Sequence, residues 1–135
     1  METITSRHNP LVAHLRRLAS SGSYRRERGE FLCDSPKLLH EALLHGAELL
    51  TVAATRGMAL PDGIHAGVRL VEVPEDVMHL ISPAKTPQGV VFTCRLPRTE
   101  CPQTLTGARY LALDGVQDPG NVGTILRTLD AFEAD

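Results

Sequence analysis

The feature that most constrains the fold is the alternation of two apolar periods along residues 5–95. Stripes with apolar residues three and four apart take turns with short runs rich in Val, Leu, Ala and Thr, the marks of helices and strands respectively. Asn9-Pro10 is a helix start, and Leu11, Val12, Leu15, Leu18 and Ala19 then recur at helical spacing until Ser20-Ser21-Gly22. Residues 24–29 read as a basic connector or short helix, and residues 30–33 as a short strand. A second helix is capped by Asp34 or Ser35 and begins at Pro36. It turns Leu38, Leu39, Ala42 and Leu43 inward and ends at Gly46. Residues 49–55 and 68–73 are strands, separated by a Gly- and Pro-punctuated loop with room for a weak helix. A short helix over 75–81 and a last strand over 89–94 complete the pattern, which predicts a three-layer α/β/α sandwich.

Two prolines and no apolar period mark residues 96–108 as a linker. A second unit, 109–135, opens with a strand at Tyr110-Leu111-Ala112-Leu113, followed by the turn Asp118-Pro119-Gly120-Asn121. Asn121 can cap the helix after it, whose face Val122, Ile125, Leu126, Leu129 and Phe132 needs a sheet to cover it. Thr124, Arg127, Thr128 and Ala131 lie opposite, and Gly123 permits close approach of a backbone or ligand. The free N–H groups of such a helix start favour an anion, so Asn121 and Arg127 are the candidate site residues for an anionic or hydroxyl-bearing substrate.

The formal charge of −2 hides an asymmetry. Residues 1–29 carry Arg7, Arg16, Arg17, Arg25, Arg26 and Arg28 against Glu2 and Glu27, a local charge of +4, whereas the rest of the chain carries −6. Twelve of the 14 basic residues are arginine, whose planar fork suits phosphate. Two readings stand for this cluster: a docking patch for an anionic partner, or charges that solvate a helix in an arginine-rich composition. No apolar run approaches the roughly 18–20 residues of a membrane span, and the N-terminus lacks a secretory pattern. Cys33, Cys94 and Cys101 form no CxxC, and reduced thiols in a cytoplasm are the simplest expectation. His8, His14, His40, His45, His65 and His79 include no i, i+4 pair, so structural histidines are expected rather than a metal site. Aromatics are too few for a row of base-stacking platforms, with Tyr24 amid its arginines the exception.

The run Leu113-Asp114-x-Val116-x-Asp118-Pro119-x-Asn121-x-Gly123-x-Ile125-x-Arg127-Thr128 resembles motif 1 of the SpoU (TrmH) family of RNA ribose 2′-O-methyltransferases. Ile4-Thr5-Ser6-x-x-Asn9-Pro10, Arg25-Arg26-x-x-Gly29-x-Phe31-Leu32 and Thr86-Pro87-Gln88-Gly89-Val90-Val91 look like its N-terminal RNA-binding domain, which resembles a small ribosomal protein. The resemblance implies an RNA-binding domain at 1–95, and at 109–135 the first strand and helix of a trefoil-knotted catalytic domain. It implies that Arg127 helps activate the ribose hydroxyl, that Asn121 shapes the site, and that the six N-terminal arginines hold structured rRNA or tRNA. The intact enzyme would use S-adenosylmethionine and dimerise through its catalytic domains. The motifs that build the donor pocket are absent from this chain, so no cofactor is expected to bind it. Two departures stand out: Cys33-Asp34-Ser35 where Glu-Gly is common, and Glu133 where Gly usually ends the helix. The rival expectations are a short, non-catalytic RNA-binding module, and a protein-interaction domain whose arginines meet an acidic partner.

Overall fold

The computed structural model describes residues 1–97, 100, 103–104 and 106–133. The chain divides into two compact units, Met1–Arg98 and Thr99–Asp135. The first unit holds a mixed five-stranded sheet in the order β1-β4-β3-β5-β2. Its strands are β1 (Glu2–Thr3), β2 (Glu30–Asp34), β3 (Leu49–Thr55), β4 (Arg69–Val73) and β5 (Val90–Arg95). Strand β4 runs parallel to both β1 and β3, while β5 is antiparallel to β3 and β2. The sequence pattern does not mark β1, whose two residues are too short to show a period. It exists because Glu2 and Thr3 pair with Val71 and Glu72.

Helices α1 (Pro10–Ser20), α2 (Gly22–Arg28) and α4 (Glu75–Ile81) cover one face, with Leu11, Val12, Leu15 and Leu18 of α1 packed on Ala53, Val71, Val73 and Val91. Helix α3 (Pro36–Leu44) covers the other, where Leu39 meets Val52, Ala54, Val90, Phe92 and Cys94. That second outer layer is one helix of nine residues, completed by the loop between β3 and β4, whose Met58, Leu60 and Ile64 pack on the same cluster. The loop forms turns rather than the weak helix the sequence allowed. Strands buried on both faces explain why β3 and β5 read as continuous apolar runs. Helix α3 shows one correction: Leu38 is 48% exposed while Leu39 is fully buried. Adjacent helical residues differ by about 100° around the axis, and in α3 that turn carries Leu38 out of the buried stripe, whereas α1 buries both Leu11 and Val12. The helix ends as the sequence leads one to expect: Leu44 is its last residue, His45 its cap, and Gly46 follows at φ 67° with its N–H donating to the Leu43 carbonyl.

Two local choices have energetic content. Asn9 accepts from the Leu11 N–H and starts α1 as expected, and Ser35, not Asp34, caps α3 by accepting from Leu38 N–H. Ser35 does so at φ 116°, ψ 147°, a region that only glycine occupies without strain. The departure from Glu-Gly at this point therefore has a backbone consequence. Ser35→Gly should raise stability by about 1 kcal/mol, because relief of strain exceeds the few tenths lost with the cap. Urea denaturation reads this directly, and an unchanged or lower midpoint would contradict it. Cys33 and Cys94 are free thiols on the α3 side of the sheet, and Cys101 lies outside the described residues. Burial, with smaller contributions from Cys33 and Glu30, pushes the Cys94 thiol up to about 11. A raised folded-state value favours the neutral thiol, so its stabilising contribution is complete below about pH 9 and is lost as pH climbs through 11. Stability should therefore fall between pH 9 and 11, less steeply in Cys94→Ala after allowing for that variant's lower baseline.

In the second unit the sequence expectation needs two corrections. Residues 110–113 form no strand, because among the described residues no neighbour pairs with their backbone groups. Helix α5 (Pro119–Ala131) forms, but its cap is Asp118, whose side chain accepts from Gly120 N–H, and Asn121 lies inside the first turn. Pro119 fixes this frame, since it is favoured at the first helical position and leaves the preceding residue as cap. Val122, Ile125 and Leu129 are half-buried, while Leu126 is 54% and Phe132 68% exposed. Glu133 adopts φ 51°, which accounts for the usual glycine at that point. None of the described helices is long and apolar enough to cross a membrane.

Candidate nucleic-acid interface

The sheet's geometry sorts the six N-terminal arginines. Strands β1 to β4 all point the same way, since β2 and β3 are each antiparallel to β5. Arg7 follows β1 at the carboxyl edge of these strands, where its guanidinium pairs with Asp76 at 2.8 Å and holds that carboxyl below its ordinary range. Helix α1 then runs about 16 Å back toward the opposite edge. There α2 carries Arg25, Arg26 and Arg28 just before β2 begins. The sequence grouped all six, but the fold keeps Arg7 at the other end of the sandwich.

Local structure makes α2 the rigid corner of this surface. Ser21 accepts from Tyr24 N–H to start the helix, and Gly29 ends it at φ 61°. Arg25 turns inward and donates to the carbonyls of Leu18 at 2.7 Å and Ala19 at 3.4 Å. It thereby satisfies two of the four C-terminal carbonyls of α1 that have no partner within the helix, while Ser21 N–H donates to a third, that of Arg17. Arg17 lies over the Tyr24 ring, 4.0 Å from its centroid. Arg16, Arg26 and Arg28 are exposed, and no acid or acceptor pairs with their side chains among the described residues. Of the five arginines at this end, Arg25 is taken up by α1, Arg17 is exposed but fixed over Tyr24, and Arg16, Arg26 and Arg28 have no partner among the described residues.

Tyr24 is itself held. Its hydroxyl is 2.9 Å from His14 Nδ1, and His14 Nε2 is 3.0 Å from a Glu30 carboxylate oxygen. With Nε2–H donating to the carboxylate, Nδ1 accepts from the phenol, an assignment made from the network. Glu30 is only 8% exposed, so the chain of bonds runs from the edge of the core out to Arg17. The sequence marks His14 as structural and gives no hint of its partners, which lie 10 and 16 residues away. Only Tyr24 among arginines is a visible signal. Beside Arg17, between α1 and α4, runs a groove of 450 Å³ lined by Ala13, Arg16, Arg17, Ala19, Ser20 and Leu80.

The C-terminal candidates are not assembled into a site here. Arg127 folds back on its own helix, donating to Thr124 Oγ1 at 3.2 Å. A side chain at Gly123 would place a carbon 3.4 Å from this guanidinium, close to ordinary van der Waals contact. Asn121 lies about 120° away from Arg127 around the helix, and no hydrogen bond joins them among the described residues. Helix α5 buries no residue and residues 110–113 pair with no strand. Among the described residues of this unit no neighbouring strands form the walled crevice in which α/β sheets hold such ligands.

The MRM3-like substrate binding domain family matches residues 9–91. The chain is 28% identical over 135 residues to the 23S rRNA (guanosine(2553)-2'-O)-methyltransferase RlmP of Bacillus subtilis, covering 100% of this chain and 53% of that protein. It is also similar to two crystal structures of an rRNA methyltransferase from Sinorhizobium meliloti. One aligns with a TM-score of 0.79 at 31% identity, covering 98% of this chain and 52% of that one. The other, bound to AdoMet, aligns with a TM-score of 0.75 at 32% identity and the same coverage. The chain spans about half the length of RlmP and of an uncharacterized tRNA/rRNA methyltransferase from Synechocystis, and under a third of the vertebrate mitochondrial rRNA methyltransferases it matches.

Proposed function

We propose, from the premise that the chain belongs to the MRM3-like substrate binding domain family and is homologous to SpoU/TrmH RNA methyltransferases, that it holds structured rRNA or tRNA for 2′-O-methylation. The single observation that carries this reading is the α1–α2 corner, where Arg16, Arg26 and Arg28 stand exposed and without partners among the described residues, beside the fixed pair Arg17–Tyr24. Unpaired guanidinium groups on rigid helices suit phosphate contacts, which position RNA without reading its sequence.

On this reading residues 1–95 are the RNA-binding domain, 96–108 the linker, and 109–135 the opening of a knotted catalytic domain. The longer protein acts in the cytoplasm as a homodimer. S-adenosylmethionine supplies its electrophilic methyl group, and this chain alone neither binds that donor nor methylates. A guanidinium is a poor base, so the role of Arg127 is to orient phosphate and stabilise the negative charge that develops on the ribose oxygen. Asn121 shapes the site around it.

Arg127→Ala separates the two halves of the proposal. In a chain long enough to methylate, it should cut turnover by about a hundredfold or more, while RNA affinity in the 135-residue chain stays unchanged. Methylation assays and anisotropy titrations supply the two readouts. RNA binding that depends chiefly on Arg127 would overturn the assignment of binding to the α1–α2 corner. Calorimetric binding of S-adenosylmethionine to the short chain at micromolar affinity would overturn the other half.

A further inference from the structure

We infer that the groove between α1 and α4 receives an unpaired base of the bound RNA, stacked against Arg17; this rests on the RNA-binding reading above. The groove combines apolar walls from Ala13, Ala19 and Leu80 with Arg16 and Arg17, and no acid lines it. Apolar walls with two cations suit a base joined to its phosphate, whereas a regular duplex presents phosphates and hides its bases. RNA recognition commonly uses splayed bases stacked on aromatic rings or on guanidinium planes.

Arg17 is prepared for that use in a way Arg16 is not. Its guanidinium carbon lies over the Tyr24 ring, 4.0 Å from the centroid. Tyr24 is in turn held by His14 at 2.9 Å, and His14 by Glu30 at 3.0 Å. Arg17 both is exposed and lines the groove. Fixing a long side chain before binding removes part of the entropy cost of ordering it on the RNA. The bonds from Arg25 to the Leu18 and Ala19 carbonyls brace the end of α1 beside the groove in the same manner. Arg17 is thus a stacking residue, with Tyr24, His14 and Glu30 as positioning residues behind it. Arg16, Arg26 and Arg28 serve the phosphates.

The experiment compares two RNA hairpins of equal nucleotide number, one with a single bulged nucleotide in its stem and one fully paired, titrated against the 135-residue chain. The native chain should prefer the bulged hairpin by roughly tenfold. Arg17→Lys keeps the charge and loses the plane, so it should abolish the preference while leaving the salt dependence of binding unchanged. Leu80→Gln alters the groove wall without touching an arginine and should also reduce the preference. Equal affinity of the native chain for both hairpins, or a preference that survives Arg17→Lys, overturns the inference and leaves the RNA-binding reading standing. Failure to bind either hairpin overturns that reading and the inference with it.

Discussion

Replacing Arg16, Arg26 and Arg28 together by alanine should weaken binding to structured RNA by about tenfold or more at roughly 0.1 M salt. It should also flatten the slope of log K against log salt by roughly two to three. The reason is counterion release: each neutralised phosphate frees condensed cations, so the slope reports how many phosphates the protein neutralises. These three side chains carry no ion pair or hydrogen bond among the described residues, and their removal should leave the fold intact. Arg25→Ala makes the contrast. It strips the cap from α1 and should lower the melting temperature more than it changes the salt slope. Anisotropy titrations from about 50 to 200 mM salt measure the slope. If the triple variant keeps the native slope, the available arginines do not touch the nucleic acid.

Phe92→Ala should cost about 3–5 kcal/mol, a large part of the roughly 5–15 kcal/mol that holds a domain together. Phe92 is 1% exposed and is among the largest fully buried side chains. It lies on the face covered by α3 and the β3–β4 loop, and it sits on β5, which pairs with both β2 and β3. A cavity there borders a central strand that cannot shift without breaking two ladders, so little of the void can close. Denaturant unfolding followed by far-UV circular dichroism gives the difference. A loss under about 1 kcal/mol would mean that the α3 layer collapses freely onto the sheet.

Elements whose signals are local are legible in the order of residues alone. Helix α1 announces itself through Asn9-Pro10 and a five-residue apolar stripe, because capping and periodicity act within a few residues. Strands β3 and β5 are legible as apolar runs, since both faces of a central strand are covered. Arginine enrichment near the N-terminus and the motif around Asn121 and Arg127 are likewise plain in the letters. Pairing partners are not. Two residues of β1 carry no period and become a strand only beside Val71 and Glu72. Residues 110–113 read as a strand but pair with no neighbour among the described residues.

The same division runs through the candidate interface. Sequence by itself determined that this end of the chain is arginine-rich, that Tyr24 stands among the arginines, and that α1 presents a polar face, because these depend only on which residues follow one another. Tertiary structure decided what each arginine does. It sent Arg7 to Asp76 at the far edge, turned Arg25 onto the end of α1, laid Arg17 on Tyr24, and left Arg16, Arg26 and Arg28 unpaired among the described residues. A guanidinium is occupied or free according to the acceptors and rings within a few ångströms. Here Glu30, His14, Tyr24 and Asp76 reach their places only when the sheet closes.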